Sequence, residues 1–92
     1  MDLPKRCELK CESITHGSFS GERVCCFSAY DGKKITQAYP SAPKKYVNER
    51  LKTVQVDAIS NEGNKIRIRF PMGGSGDFDY FIVPSDGLAG LV

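Results

Sequence analysis

The chain is poor in the features that mark the commoner functional classes. Thirteen basic residues against eleven acidic ones leave a formal net charge of only +2. A nucleic-acid-binding domain of this size usually carries more positive charge, so the overall charge gives no support to that class. No apolar run approaches the roughly 18 residues that a membrane span needs, and residues 1–6 lack the apolar core of a signal peptide. We therefore expect a cytoplasmic protein with no membrane contact.

Groups that could catalyse a reaction are also scarce. The one histidine, His16, lies beside a Gly/Ser-rich segment and has no acid–base partner at a spacing that would orient it. Asp77 and Asp79 could bind Mg²⁺ together, but we interpret them as shielding an exposed strand end. The glycines of residues 72–76 follow a strand without a helix after them, so a phosphate-binding loop lacks its context. The sequence predicts neither enzymatic activity nor a cofactor.

The four cysteines do not predict a metal site. Zinc needs four nitrogen or sulfur ligands in a tetrahedral array. On a strand, Cys7 and Cys11 would lie about 13 Å apart, and the adjacent Cys25 and Cys26 would point to opposite faces. Without a secretory signal we expect all four to be reduced. A thiol- or zinc-dependent site is the third functional alternative, and it requires that residues 6–15 do not form a strand.

What the chain does contain is a regular alternation of apolar and polar residues. In residues 65–70 the apolar Ile66, Ile68 and Phe70 alternate with basic residues. Successive side chains of a strand point to opposite sides, so this pattern predicts a half-buried strand with a cationic outer row. Weaker patterns predict strands over 6–15, 22–30, 33–40, 52–60 and 79–83.

Turn signals separate these strands. Asp31-Gly32 is typical of a hairpin; with those two residues as the turn, Phe27 would lie opposite Thr36 and Val24 opposite Tyr39. Residues 61–64 predict a second hairpin, and the glycine-rich residues 71–77 predict a flexible loop. Residues 43–51 suit either one short helix or an irregular crossover.

Together these elements predict a mainly β protein: one domain over residues 1–92, forming a five- to six-stranded antiparallel barrel. The ending from Phe81 to Leu88, an apolar strand followed by Pro84, resembles the close of SH3-like barrels. That resemblance implies one tight turn after the proline and a final Leu88 in the core. The order strand, hairpin, short helix, hairpin is also similar to an OB-fold, which we keep as the alternative topology.

The 24–39 hairpin is apolar on both faces, although a small barrel has one interior. Tyr30, Ile35 and Tyr39 fall on one face, and Cys25, Phe27, Ala29 and Ala38 on the other. Either residues 41–51, with Tyr46 and Val47, cover the outer face, or it contacts a partner. We predict a protein-binding surface, with the loop 72–77 beside it, for another protein or for a second copy through an edge strand. Its residues are Tyr30, Ile35, Tyr39 and Tyr46.

A nucleic-acid-binding surface is the alternative prediction. Alternate strand residues lie roughly 6.6 Å apart, close to the spacing of phosphates along one nucleic-acid strand. Lys65, Arg67 and Arg69 form such a row, and Lys52 on the neighbouring strand could extend it. Lys44, Lys45, Arg50 and again Lys52 form a second basic group around Tyr46, which would suit stacking on bases. Charged residues on a solvated face are the simpler explanation of both groups.

Overall fold

Strands and single-turn helices account for most of the chain, which confirms the prediction of a mainly β protein. The computed structural model describes residues 4–71 and 78–89. Their elements are β1 (Lys5–Lys10), β2 (Ser13–His16), β3 (Glu22–Asp31), β4 (Lys34–Ala38), β5 (Ser41–Pro43), a 3₁₀ turn (Lys44–Tyr46), β6 (Val47–Asn48), β7 (Thr53–Glu62), β8 (Lys65–Pro71), β9 (Phe78–Pro84), a second 3₁₀ turn (Ser85–Gly87) and β10 (Leu88–Ala89).

The larger sheet has the strand order β10-β1-β7-β8-β9, with β6 also paired to β7. Its alternation follows the sequence prediction, because Ile66, Ile68 and Phe70 are buried while Arg67 on the same strand is exposed. The hairpin β7–β8 turns at the two residues after Glu62, the first of which is a glycine with φ +79°.

The smaller sheet has the order β2-β3-β4, with β5 also paired to β3. Its hairpin turns at Gly32-Lys33, one residue later than predicted, so Phe27 lies opposite Ala38 and not Thr36. Gly32 adopts φ +65°, and a glycine with positive φ suits the first central position of a two-residue hairpin turn. The resulting shift of two positions leaves every side chain on its predicted face.

The predicted strand over residues 6–15 is two strands in different sheets. The N–H of Cys11 donates a hydrogen bond of 2.8 Å to the carbonyl of Lys52, which precedes β7 of the larger sheet. The N–H of Glu12 donates one of 2.7 Å to the carbonyl of Cys26 in β3. The chain therefore changes sheet between Cys11 and Glu12. The apolar positions change here from odd-numbered (Cys7, Leu9, Cys11) to even-numbered (Ile14), a break in the alternation that the single predicted strand overlooked.

Of the two alternatives predicted for residues 43–51, the short helix is wrong and the segment is an irregular crossover. It contains one 3₁₀ turn, after which Val47 and Asn48 pair with β7. The Oδ1 of Asn48 accepts a hydrogen bond from the N–H of Leu51 in 3.0 Å, and Lys52 adopts φ +55°. These features turn the chain tightly into β7, so the segment has no room for a second helical turn.

One core lies between the two sheets. Phe27 of the smaller sheet has its ring centroid 5.6 Å from that of Phe70 and 5.2 Å from that of Phe81, both in the larger sheet. After Pro84 the second 3₁₀ turn brings Leu88 to pair with Leu9, where both are buried. The ladders of the described residues form two separate sheets, and no closed barrel is found among them.

The predicted loop over residues 71–77 lies outside the described residues apart from Pro71, the last residue of β8. Across the described part of the chain, no helix has the length and apolar character needed to cross a membrane.

Candidate interaction surface

The outer face of the smaller sheet exposes large apolar side chains. Ile35 lies directly opposite Tyr30, with 55% of its surface exposed, and Tyr39 is 65% exposed. The pairing of β3 with β4 continues in the same register into β5, so alternate residues from Ile35 to Tyr39 share one face. We call Tyr30, Ile35, Gln37 and Tyr39 the hairpin face.

Residues 41–51 do not cover the hairpin face. Val47 pairs with Val54 in the larger sheet. Tyr46 packs partly buried against the core and lines a cleft of about 170 Å³ with Asp57 and Arg69. The structure therefore brings three of the four predicted binding residues to one face and places Tyr46 elsewhere.

A larger cleft of about 590 Å³ opens beside the hairpin face. Tyr30 and Ile35 form one wall, Leu9 and Cys11 contribute from the end of β1, and Pro84 from the end of β9. We call this the Ile35 cleft. Its lining also includes Lys10, Glu12 and Asp86, so it carries charges of both signs beside its apolar groups. A site that combines apolar walls with a few polar groups is typical of ligand-binding clefts.

Tyr30 lies between this cleft and a second one. The Nζ of Lys65 lies 4.6 Å from the Tyr30 ring centroid, and Tyr30 also lines a cleft of about 260 Å³ with Arg67 and Tyr80. Tyr80 is 50% exposed, and it was not among the binding residues predicted from the sequence. The alternation of β9 could have found it, since Tyr80 lies opposite Arg69 in the ladder.

Each cation of the β8 row has a partner within the chain. Lys65 lies over Tyr30, and the Cζ of Arg67 lies 5.2 Å from the Tyr80 ring centroid. Arg69 donates to Asp57 in 2.8 Å through Nη2, and Arg6 approaches the same carboxylate at 3.4 Å. The hydrogen bond to Asp57 raises the pKa of Arg69. The row is therefore less available to phosphates than its sequence suggests.

Lys52 does not extend this row, because it lies in the turn that precedes β7. Asp57 is the β7 residue opposite Arg69, and Lys52 is five residues away from it, about 16 Å along an extended chain. In the second basic group, the Nζ of Lys45 lies 5.1 Å from the Tyr46 ring centroid.

The cysteines differ in environment, although Cys11 and Cys25 lie close enough to share a hydrogen bond. Cys7 and Cys25 belong to the core, whereas the Sγ of Cys26 donates to the Oε1 of Gln37 in 3.1 Å on the hairpin face. A hydrogen bond with Cys25 and burial both raise the pKa of the Cys11 thiol. The described residues contain no group of three or more His, Cys, Asp or Glu side chains that could hold a metal ion.

The remaining candidates do not form a site in the described structure. His16 is exposed at the end of β2. Asp79 is also exposed, and its Oδ1 accepts a hydrogen bond from the N–H of Tyr80 in 2.9 Å. Asp77, its predicted companion, lies outside the described residues.

Comparison with known proteins adds no relative from which a role could be transferred. No protein-family model, no curated protein and no solved structure matches the chain.

Proposed function

We propose that the protein is a non-catalytic interaction module that binds a segment of another protein in the Ile35 cleft. The observation that carries this proposal is the pairing of Tyr30 with Ile35 at the wall of a cleft between the two sheets. Ile35 is 55% exposed, so a partner that covers it would remove apolar surface from water.

The chemistry around the cleft favours a peptide segment. A tyrosine offers an apolar ring and a hydroxyl group, which suits contact surfaces that are partly wet. Lys10 and Asp86 among the lining residues supply one charge of each sign, so they can orient a chain without requiring a strongly charged ligand. Lys65 over the Tyr30 ring restrains the wall before a partner binds, which lowers the ordering cost of binding.

The fold and cellular setting that accompany this proposal are also inferences. We interpret the two sheets as halves of a small SH3-like barrel, supported by Pro84, the 3₁₀ turn after it and the buried Leu88. An OB-like topology is the alternative. A cytoplasmic location fits the reduced state of the four cysteines.

A peptide selection tests the proposed function. Random peptides displayed on phage are selected on the immobilised wild-type protein, and the recovered peptides are titrated against Ile35→Asp. We expect binding to fall at least tenfold, because the new carboxylate lies in the cleft wall. Leu51→Asp is the matched control, since Leu51 is a similarly exposed apolar residue, at 61%, outside the Ile35 cleft. Equal binding to both variants would contradict the proposal.

Nucleic-acid binding is the second candidate, favoured by one observation. Arg67 and Tyr80 lie side by side on an exposed surface, and a cation beside an aromatic ring suits stacking on a single-stranded base. Titration of labelled single-stranded DNA over a range of salt concentrations tests it. Affinity that falls steeply with salt and is lost in Arg67→Ala would support this candidate. Absence of such binding would leave the peptide-binding proposal as the better one.

A further inference from the structure

The smaller sheet has an open edge at β4. This strand pairs with β3 and with no other described strand. Four of its five residues are exposed, and only Ala38 is half-buried. A strand edge of this kind is a template for another extended chain.

The backbone groups at this edge can be assigned from one hydrogen bond. The N–H of Cys25 donates to the carbonyl of Pro40 in 2.9 Å. In an antiparallel ladder, directly opposite residues alternate between hydrogen-bonded and non-hydrogen-bonded pairs. Because the register is unbroken from Pro40 back to Lys34, the residues that bond to β3 are the even-numbered ones. Ile35, Gln37 and Tyr39 therefore direct their N–H and C=O groups to the open edge.

The middle of the edge carries none of the usual protection against pairing. Natural edge strands are commonly blocked by lysine, proline or a bulge. Here Lys33 and Lys34 stand at one end and Pro40 at the other. The residues between them, 35–39, carry no charge and no proline.

We propose that a second copy of the chain pairs with this edge, antiparallel, with Gln37 of both copies at the two-fold axis. In this register Ile35 lies opposite Tyr39 of the partner subunit, and the relation is repeated by symmetry. An aromatic residue opposite a β-branched one is a favourable cross-strand pair. The two exposed apolar residues of the hairpin face thus cover each other.

Other registers and the parallel arrangement are less complementary. With Ile35 on the axis, that residue meets itself and Tyr39 has no apolar partner. With Thr36 on the axis, Ile35 lies opposite Gln37. A parallel pair would place the lysines of the two copies side by side. The Gln37 register separates the two Lys34 residues by six positions, about 20 Å along the strands, so their repulsion is largely screened.

The proposal of this dimer does not rest on the proposed peptide binding, although both interactions use Ile35. The pairing uses a short strand and two apolar side chains per copy, which is a small interface. Interfaces below about 1,200 Å² are typical of weak or transient complexes. We therefore expect association in the micromolar to millimolar range of protein concentration.

Charge complementation tests both the dimer and its register. Sedimentation equilibrium should show the wild type passing from monomer to dimer as concentration rises, whereas Ile35→Glu and Tyr39→Lys should each remain monomeric. An equimolar mixture of these two variants should form a heterodimer by native mass spectrometry, because the new carboxylate and ammonium groups lie opposite each other. Leu51→Glu is the control that should dimerise like the wild type.

The register is tested by a different mixture. A mixture of Ile35→Glu and Gln37→Lys should not form a heterodimer. In the proposed register Gln37 faces Gln37 of the other copy, so the new lysine does not lie opposite the new glutamate. Rescue by Gln37→Lys but not by Tyr39→Lys would overturn the register, and a wild-type protein that stays monomeric at millimolar concentration would overturn the dimer. A monomer that still binds the selected peptides would remove the dimer and leave the proposed function standing.

Discussion

The outer faces of the two sheets differ in how far their side chains have partners within the chain. On the larger sheet, Arg67 lies over Tyr80 and Arg69 bonds to Asp57. On the smaller sheet, Ile35 and Tyr39 keep more than half of their surface exposed, at 55% and 65%. The charged face is thus largely provided with internal partners, whereas the apolar face is not.

This difference shows why a row of charges in a sequence is a weak indicator of binding. Arg6 on β1 and Arg69 on β8 share one carboxylate, Asp57. That carboxylate comes from a third strand, and only the fold brings the three together. Apolar side chains that are exposed together on one face, as Ile35 and Tyr39 are, can be covered only by another surface, so their grouping is the more informative observation.

The largest effect should come from separating the two sheets at their aromatic contact. Phe27→Ala removes the ring that packs on Phe70 and Phe81. We expect a loss of about 3–5 kcal/mol in the free energy of unfolding, the usual cost of truncating a buried aromatic residue. Urea unfolding followed by circular dichroism and by tyrosine fluorescence measures it. A loss below about 1 kcal/mol would show that the sheets do not depend on this contact.

The next largest effect on stability should come from the charged outer face of the larger sheet. Asp57→Asn removes the carboxylate that Arg6 and Arg69 share, and Asp57 is only 17% exposed. We expect a loss of about 1–2 kcal/mol in the free energy of unfolding. Retention on a heparin column should also increase, because two arginines lose their anion.

Glu62→Gln is the matched control for this change. It alters the net charge equally, from an exposed position opposite Lys65 in the ladder. Its retention on heparin should rise less than that of Asp57→Asn. Equal retention of the two variants would mean that the Asp57 pairs do not mask the cationic face.

The strands of the fold were largely predictable from the sequence, because alternation fixes which side chains are buried. Cys7 and Leu9, Val54 and Val56, and the apolar residues of 65–70 are all buried as expected. The change of sheet after Cys11 was predictable only in part. The alternation breaks between Cys11 and Ile14, but which strands the two halves join depends on hydrogen bonds to Lys52 and Cys26, residues far away in sequence.

The candidate surface was predictable only in part, for the same reason. Tyr30 and Ile35 were predicted to share a face because side chains alternate along a strand. An error of two positions in the predicted hairpin register does not change that face. Tyr46 was grouped with them because nothing in the sequence shows that its segment crosses to the larger sheet. The Ile35 cleft itself depends on β1 and the second 3₁₀ turn, which only the tertiary structure brings beside the hairpin.

A smaller effect should appear at the ion pair between Arg23 of the smaller sheet and Glu49. Arg23 is buried, and its Nε donates to Glu49 in 2.9 Å. This hydrogen bond lowers the pKa of Glu49 below its ordinary value of 4.5. A carboxyl group whose pKa is lower in the folded state stabilises the fold above its unfolded pKa, and this contribution is lost as pH falls through the folded value.

Glu49→Gln should therefore be less stable than the wild type at neutral pH. The difference in melting temperature should shrink as the pH is lowered from 6 towards 3, where the wild-type carboxyl group also becomes neutral. Thermal unfolding of both proteins across this range measures the difference. A difference that stays constant with pH would show that the charge on Glu49 does not contribute to stability.

The smallest effect on stability should come from the hairpin face, and it is the most informative one. Ile35→Thr keeps a β-branched side chain on an exposed strand position, so we expect the free energy of unfolding to change by no more than about 0.5 kcal/mol. Ile68→Thr makes the same chemical change where the side chain is fully buried, and it should cost at least about 2 kcal/mol through lost packing and a buried hydroxyl group. Urea unfolding of the two variants gives the contrast. If Ile35→Thr destabilises the protein nearly as much as Ile68→Thr, the hairpin face is structural, and its exposed residues no longer argue for a partner. If it does not, the fold has no need of an isoleucine at this position, which is what the proposed contact with another chain predicts.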